Sequence, residues 1–406
     1  MTLLNRMNMS QKLTILVVFL LLIAAVPMTL YVNTAITDLD STKREVAGAG
    51  PAIALQKVVQ YVQQHRGTSA ALLGGNDSVA NRLSEIQREL NKAVDIVDAK
   101  LKGAEISAKT ASLWSLQKQR IVEIAQAVTA RQLKTTESTA QHTKLIADIL
   151  FINEEILEES GLVLDPVAST YFLMNASLIN APKLAENMGQ MRALGTGFLS
   201  AGSLTDEGRA KLMGMFSNVS MFFSDFMRNI ERATQSDMAM KAALESKSSE
   251  VKALIDKTLH MTNQELIQAK ELKLPANEYL AEYTRTIDNI YSYNSIAAEN
   301  LVQTLEARSQ DLQQGVSIMI GLLALALASA IAFSIMIVRS ITLPMQEAIA
   351  VANAVASGDL TSRIEVNSSN ETGRLLQALK TMNDNLVDLV GKVRSGTDQI
   401  TTASGE

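Results

Sequence analysis

Three observations predict an all-α membrane protein. Proline and glycine are scarce, with 6 and 20 residues among 406, and aromatic residues make up only 4% of the chain. This composition favours long helices. Two long apolar runs contain no charged residue, as membrane-spanning helices require. Between these runs, apolar residues recur every three or four positions, and no alternating strand pattern is present.

The two apolar runs predict transmembrane helices at 13–32 and 315–338. The first has 20 uncharged positions, which as a helix extend about 30 Å, the thickness of a bilayer core. A cleaved signal peptide is the alternative for this run. Its apolar part is longer than the roughly 7–15 residues of a signal peptide, and no clear small-residue cleavage site follows. We therefore expect a retained anchor.

Charges beside the two spans predict the orientation of the chain. The basic residues nearest the spans, Arg6, Lys12 and Arg339, lie outside the segment between them. The first charged residues inside that segment are acidic: Asp38, Asp40 and Asp311. The positive-inside rule then places both termini in the cytoplasm, including residues 1–12. Residues 33–314 form one external domain.

Sparse breaks divide the external domain into predicted helices at 33–74, 77–101, 105–162, 166–202, 206–233 and 237–314. At about 1.5 Å per residue, these helices leave one span and return to the other as two stacked four-helix bundles. The length count places the bundles end to end. Pro275 then lies where they meet, about 58 Å from the membrane.

A short repeat places one arginine in each predicted bundle. QHRGTSAALL at 64–73 aligns with QMRALGTGFL at 190–199, so Arg66 and Arg192 both precede small residues. Small residues let a neighbouring helix approach, and they leave the guanidinium room to bind a small oxyanion or carboxylate. The alternative is a tight helix crossing with the arginine directed to solvent. The length count puts Arg66 about 51 Å and Arg192 about 72 Å from the membrane, which allows separate pockets.

The segments around these arginines resemble the helical nitrate- and nitrite-sensing (NIT) type of input domain. The resemblance rests on LQKVVQYVQQHRGTSAALLGG, IQRELNKAVD and ENMGQMRALGTGFLSAG, and it implies that Arg66 and Arg192 bind the anion. His65 and Met191 depart from that family, which commonly has an acidic residue there. LDPVASTYFLM at 164–174 resembles instead the bimodular chemoreceptor input domains that sense organic acids. The predicted ligand is therefore a small anion: nitrate, nitrite or an organic acid.

The region after the second span, 339–393, resembles a HAMP domain. Two amphipathic helices, about 341–357 and 371–393, flank a linker, and the signature residues are Pro344, Gly358, Glu371 and Gly373. We expect Pro344 in the first turn of its helix, where its missing N–H costs nothing. An ordinary helical hairpin is the alternative interpretation.

Apolar residues in the second of these helices form a coiled-coil seam: Leu375, Leu379, Met382, Leu386, Leu389 and Val393. In HAMP domains such a seam closes only as a parallel four-helix bundle from two chains. The resemblance therefore implies a homodimer. The last segment, 394–406, contains DQITTASGE, which resembles the entry into the signalling helix of methyl-accepting chemotaxis receptors.

Composition excludes several other classes of protein. The chain has no cysteine and three histidines far apart in sequence, so we expect no metal site and no cofactor. A net charge of −5 argues against nucleic-acid binding. The carboxylates are spread over helix faces, so we expect no enzyme. We expect the tyrosines at 279, 283, 291 and 293 to pack in the bundles, with a tyrosine-lined ligand wall as the alternative.

These features predict a truncated methyl-accepting chemotaxis receptor of the inner membrane, which passes a ligand signal through HAMP to a cytoplasmic module. The resemblance implies that a histidine kinase and a coupling protein bind the missing C-terminal region. The input half of a histidine kinase or of a cyclic-nucleotide enzyme is one alternative, since it shares everything up to residue 393. A structural helical stalk that binds a partner protein is another.

Overall fold

The structure is a computed structural model that describes residues 7–235 and 237–403. Within these residues the chain is helical and contains no β-strand, which confirms the all-α class. Two compact units are present: residues Ile36–Gln314, and the residues up to Ala35 together with those from Gly315 onward. Arg6 and the last three residues of DQITTASGE lie outside the described residues.

The helices, in chain order, are α1 Met9–Leu73, α2 Ala80–Leu101, α3 Ala108–Thr129, α4 Thr135–Glu159, α5 Ala168–Met174, α6 Ala181–Ala201, α7 Asp206–Thr234, α8 Met238–Thr262, α9 Ala276–Ala356 and α10 Glu371–Ala403. Short 3₁₀ turns lie at Asp77–Val79 and Leu162–Leu164. In the described part of the chain, α1 and α9 are long and apolar enough to cross a membrane.

Two predicted helices are each broken by a turn. The predicted helix 105–162 ends at Thr129 and restarts at Thr135, and Arg131 between them has a left-handed backbone with φ of 54°. The predicted helix 237–314 is interrupted between Ile267 and Ala276. Neither glycine nor proline marks the first turn, so the sequence gives no breaker signal there. Both turns reverse the chain direction.

Because of these two reversals, the bundles of the Ile36–Gln314 unit pack side by side and not end to end. The first bundle comprises α1–α4, and its antiparallel pairs include Gly50 beside Lys100 and Ser107 bonded to Glu159. The second comprises α5–α9, with Thr258 of α8 bonded to Thr286 of α9 at 2.8 Å. We call the end that holds Ile36 and Gln314 the basal end, and the opposite end the distal end. Pro275 directly precedes α9 at the distal end, not at a junction of stacked bundles.

The two bundles meet along a seam of α1, α4, α6 and α9. Apolar side chains fill this core, and Leu55, Val58, Ile149 and Leu184 are at most 1% exposed. Polar contacts also cross it. At the basal end, Arg308 of α9 forms ion pairs with Glu45 of α1 and with Asp165, at 2.8 Å for Asp165. Burial, reinforced by the charge of Asp165, raises the pKa of Glu45 to about 7.

A π-helical stretch, Asn175–Asn180, links α5 to α6. Two of its backbone carbonyls accept hydrogen bonds from the first bundle. Gln56 Nε2 of α1 donates to the Ser177 carbonyl at 2.8 Å, and Asn153 Nδ2 of α4 donates to the Leu178 carbonyl at 2.9 Å. Side chains of the first bundle thus satisfy carbonyl groups within an irregular turn of the second.

In the other unit, Pro344 lies inside α9, which runs without interruption to Ala356. The prediction that Pro344 occupies a first helical turn is wrong, since no helix begins there. Gly358 follows α9 with φ of 89°, a left-handed conformation that favours glycine. Ala348, Ile364 and Leu376 form a small core between the ends of α9 and α10.

The approach of α9 to α6 depends on Gly195. A Cβ at this position would lie 2.5 Å from Cζ and Oη of Tyr279, a fully buried ring that has no space to move. We expect Gly195→Ala to lower the free energy of unfolding by about 1–3 kcal/mol, because the added methyl group overpacks the seam.

Gly197 is the matched control, since it lies in the same helix with open space around it. Gly197→Ala should stabilise the protein by roughly 0.5–1 kcal/mol through higher helix propensity. Denaturant unfolding of the two variants measures the difference. Equal stability would contradict the close packing of α6 on α9.

Candidate functional site

The first predicted arginine, Arg66, is buried in the seam and points into the second bundle. It is 5% exposed. Its Nη1 donates to Oε1 of Glu186 on α6 at 2.7 Å, and its Nη2 donates to Oε2 at 3.1 Å. Nη1 also donates to the Thr143 hydroxyl of α4 at 2.9 Å. Arg66 therefore forms a bidentate, charge-assisted pair, the strongest kind of protein hydrogen bond. The alternative of an arginine directed to solvent is wrong for Arg66.

The Glu186 carboxylate is the centre of this network. Besides the two bonds from Arg66, it accepts hydrogen bonds from Gln63 Nε2 of α1 at 2.9 Å and from Gln190 Nε2 at 2.7 Å. The hydroxyl of Tyr291 on α9 donates in turn to Gln63 Oε1 at 2.8 Å. Burial raises the pKa of Tyr291, and the negative charge of Glu186 raises it further, so this phenol keeps its proton.

The second predicted arginine, Arg192, lies in the same cluster and not in a separate pocket. A Cβ on Gly67, next to Arg66, would lie 3.9 Å from Arg192 Nη2, and one on Gly189 would lie 3.3 Å from Arg66 Nη2. Side-by-side packing brings the two motifs to one level near the distal end. The glycines leave each guanidinium space beside the other helix.

Arg192 has weaker protein partners than Arg66. It is half-buried, and the side-chain hydrogen bond from its Nη1 goes to the Thr284 hydroxyl of α9 at 2.8 Å. Burial lowers its pKa, and the positive charge of Arg66 adds to this effect, whereas Asp288 and Glu186 oppose it. The two arginines thus repel each other, and an anion between them would relieve that repulsion.

Sequence reasoning missed the residues that complete this network: Gln63, Thr143, Glu186, Thr284 and Tyr291. A signal for Glu186 exists, because it lies one helical turn before Gln190, the first residue of the second motif. Tyr279, Tyr283 and Tyr293 are fully buried packing residues, as predicted. Tyr291 differs because its hydroxyl joins the polar network.

Two histidines that are distant in sequence lie in contact beside this cluster. His142 Nδ1 donates to the Ser138 carbonyl at 2.7 Å, so its Nε2 accepts the hydrogen bond from His65 Nδ1 at 2.8 Å. They are 77 positions apart in sequence and meet because α1 and α4 are neighbours. Within the described residues, no group of three or more potential metal ligands is present.

Burial lowers the pKa of both histidines, to about 3 for His65 and about 4 for His142. For His65, the neighbouring ring of His142 contributes in the same direction. Both side chains are at most 3% exposed. The folded protein therefore holds this pair neutral at neutral pH.

Two of the HAMP signature residues, Glu371 and Gly373, lie at the start of α10. Asn370 Oδ1 accepts hydrogen bonds from the Gly373 N–H at 3.1 Å and from the Thr372 hydroxyl at 2.7 Å, which caps the helix that begins at Glu371. A Cβ on Gly373 would lie 1.8 Å from the Ser368 carbonyl oxygen, so only glycine fits. Seam residues Leu375, Met382, Leu389 and Val393 are 41–61% exposed in the single chain.

Comparison with known proteins gives two family matches. The family described as nitrate and nitrite sensing (NIT) matches residues 57–302, and the HAMP domain matches residues 336–388. The solved structure of the NasR transcription antiterminator is similar over 86% of this chain and 92% of that chain, with a TM-score of 0.53 and 16% identity. At this identity the likeness concerns the fold alone.

Curated relatives include chemotaxis receptors. The methyl-accepting chemotaxis citrate transducer of Salmonella typhimurium is 23% identical over 250 residues, which are 61% of this chain and 43% of that protein. The methyl-accepting chemotaxis protein McpS of Pseudomonas putida is 33% identical over 100 residues, 25% of this chain and 16% of that protein. The chain thus matches less than half the length of these relatives.

The helical bundles, the two candidate membrane helices and the HAMP match are features that this chain shares with chemoreceptor-type sensors. The chain belongs to the nitrate and nitrite sensing family, whose match extends over more than half of its residues.

The neutral histidine pair predicts a loss of stability on acidification. The unfolded chain takes up protons on His65 and His142 near pH 6.5, but the folded chain does so only near pH 3 to 4. Stability is therefore fully present above pH 6.5 and falls as the pH decreases, by about 1–2 kcal/mol per histidine down to about pH 5. Thermal unfolding at several pH values measures this slope.

Glu45 has the opposite dependence, because its raised pKa makes its contribution fall as the pH rises toward 7. Glu45 is present in every variant, so its contribution cancels when the stabilities of two variants are compared at the same pH. His142→Gln should flatten the slope, and His260→Gln, at an exposed position, should leave it unchanged. Equal slopes in the two variants would disprove the assignment.

Proposed function

We propose that this chain is the sensing and HAMP part of a chemoreceptor that binds a small anion, nitrate, nitrite or an organic acid, at Arg66 and Arg192. The observation that supports the proposal most is the convergence of the two repeated arginines in one buried cluster, with Arg66 and Arg192 placed against Gly189 and Gly67. Packing alone does not call for two like charges at close range in the seam. An anion is the partner that both guanidinium groups can share.

The receptor is proposed to lie in the inner membrane with both termini in the cytoplasm and residues 33–314 outside. The exposed seam of α10 supports a homodimer, since Leu375, Met382 and Leu389 would be covered by a partner chain. Signalling to a histidine kinase and a coupling protein belongs to the same proposal, and the similarity to methyl-accepting chemotaxis proteins supports it.

The proposed signal begins at α9. Thr284 and Tyr291 belong to this helix, which is continuous from Ala276 to Ala356. An anion that pulls Arg192 away from Thr284 changes the contacts of α9 with α6. A difference in affinity of about 1–3 kcal/mol between two helix packings is enough for useful coupling.

The anion site is tested by binding to the full chain in lipid nanodiscs. Calorimetry with nitrate, nitrite and small carboxylates should identify a ligand. Arg192→Ala should weaken it about tenfold or more, because a hydrogen bond to a charged group contributes about 1.5–3 kcal/mol. Arg66→Ala should weaken it as well, provided that circular dichroism shows an intact fold.

Arg228→Ala is the matched control, because Arg228 is exposed and pairs with Asp225 on its own helix. It should leave anion affinity unchanged. Binding that survives both Arg66→Ala and Arg192→Ala would refute this site. If no acid binds, yet a periplasmic binding protein is captured by the domain, direct anion sensing is wrong.

A further inference from the structure

We propose that Glu186 is a built-in competitor of the anion: its carboxylate occupies the binding edge of Arg66, and the ligand must displace it. This inference rests on the proposed function and adds how the site is regulated. It also assigns Glu186 a role that the arginine motifs do not indicate.

The geometry around Glu186 is that of an oxyanion site. Four donor contacts converge on its two carboxylate oxygens, at 2.7 and 3.1 Å from Arg66, 2.9 Å from Gln63 and 2.7 Å from Gln190. A planar anion with two oxygens on one atom has the same acceptor geometry as this carboxylate. The donors that hold Glu186 are therefore the donors that an anion of this shape would use.

Arg66 cannot bind both carboxylate and ligand on the same edge. The edge formed by its Nη1 and Nη2 is taken by Glu186, and Nη1 also donates to Thr143. The residue is 5% exposed, so no solvent-facing side of the guanidinium remains as an alternative. Bidentate binding of an external anion at Arg66 thus requires that Glu186 leave.

The charges of the cluster allow this exchange. Arg66 and Arg192 provide two positive charges; Glu186 forms an ion pair with Arg66, and the carboxylates of Asp288 and Glu186 both interact favourably with Arg192. Glu186 already interacts favourably with Arg192, since its charge opposes the lowering of the Arg192 pKa. A displaced Glu186 therefore remains near a cation while the anion takes Arg66. The apparent affinity is reduced by the fraction of molecules in which Glu186 holds Arg66.

The test compares nitrate binding to the full chain in nanodiscs by calorimetry, at constant ionic strength, for wild type and Glu186→Gln. Glutamine keeps the shape of the side chain and removes its charge, so nitrate should bind about tenfold more tightly, the ratio that corresponds to about 1.4 kcal/mol. The variant should melt at a lower temperature without nitrate, because Arg66 loses its counter-charge. Nitrate should restore the melting temperature.

A second variant and a control make the result specific. Glu186→Asp keeps the charge but shortens the side chain, so its hold on Arg66 weakens and nitrate affinity should rise by a smaller factor. Glu154→Gln is the same substitution in another contact between the two bundles, a partly exposed pair of Glu154 on α4 with Lys183 on α6 at 2.7 Å, and it should leave affinity unchanged. If Glu186→Gln fails to fold, Glu186→Asp carries the test.

The outcomes separate this inference from the proposed function. If wild type binds nitrate and the Glu186 variants bind it equally or more weakly, Glu186 is not a competitor of the anion. The proposed anion site itself then still stands. If Glu154→Gln raises nitrate affinity as much as Glu186→Gln does, the competitor role is also refuted, since the loss of any negative charge then explains the gain in affinity. If neither wild type nor the variants bind nitrate or any other small anion, the proposed function fails and this inference fails with it.

Discussion

The structure depends on one requirement: the polar groups that α1 buries against the second bundle must all be paired. Glu45, Gln56, Gln63 and Arg66 are each at most 7% exposed, and each has a partner outside the first bundle. Their spacings of 11, 7 and 3 residues are close to whole turns of a helix, so they form one stripe. An unpaired buried polar group costs about 1–3 kcal/mol, and a buried charge costs more. A slip of one turn between the bundles would break all four contacts, so this stripe fixes their register.

Much of the fold could be predicted from the sequence, because apolar periodicity and charge bias are local signals. The all-α class and the apolar spans follow from such patterns, and so do the ends of α7 at 206 and 234, which agree with the predicted helix 206–233. The turn at residues 130–134 could not be predicted, because Arg131 adopts a left-handed conformation without a glycine. The two missed reversals, at residues 130–134 and between Ile267 and Ala276, together changed an end-to-end arrangement into a side-by-side one.

The candidate site could be predicted only in part, because the sequence carries local signals and does not show which helices pack together. The repeat identifies Arg66 and Arg192, since sequence similarity does not depend on knowing how helices pack. Arg66, Glu186 and Tyr291 lie on three different helices, and the hydrogen bonds that connect them, through Gln63 for Tyr291, depend on the relative height of those helices. The histidine pair is a similar case: 77 residues separate His65 from His142 in sequence, but the helix reversals bring their rings together. Long-range proximity was the information that the sequence lacked.

The π-helical stretch Asn175–Asn180 has a consequence for α6. Its wider turn changes the rotation of α6 about its own axis relative to α5. The side of α6 that carries Glu186 depends on this rotation. The carbonyls of Ser177 and Leu178 in that turn are held by Gln56 and Asn153, which belong to the other bundle. The orientation of Glu186 on α6 thus depends on side chains of α1 and α4. The hydrogen bonds that dock the two bundles on each other therefore also hold the turn that precedes Glu186, the partner of Arg66.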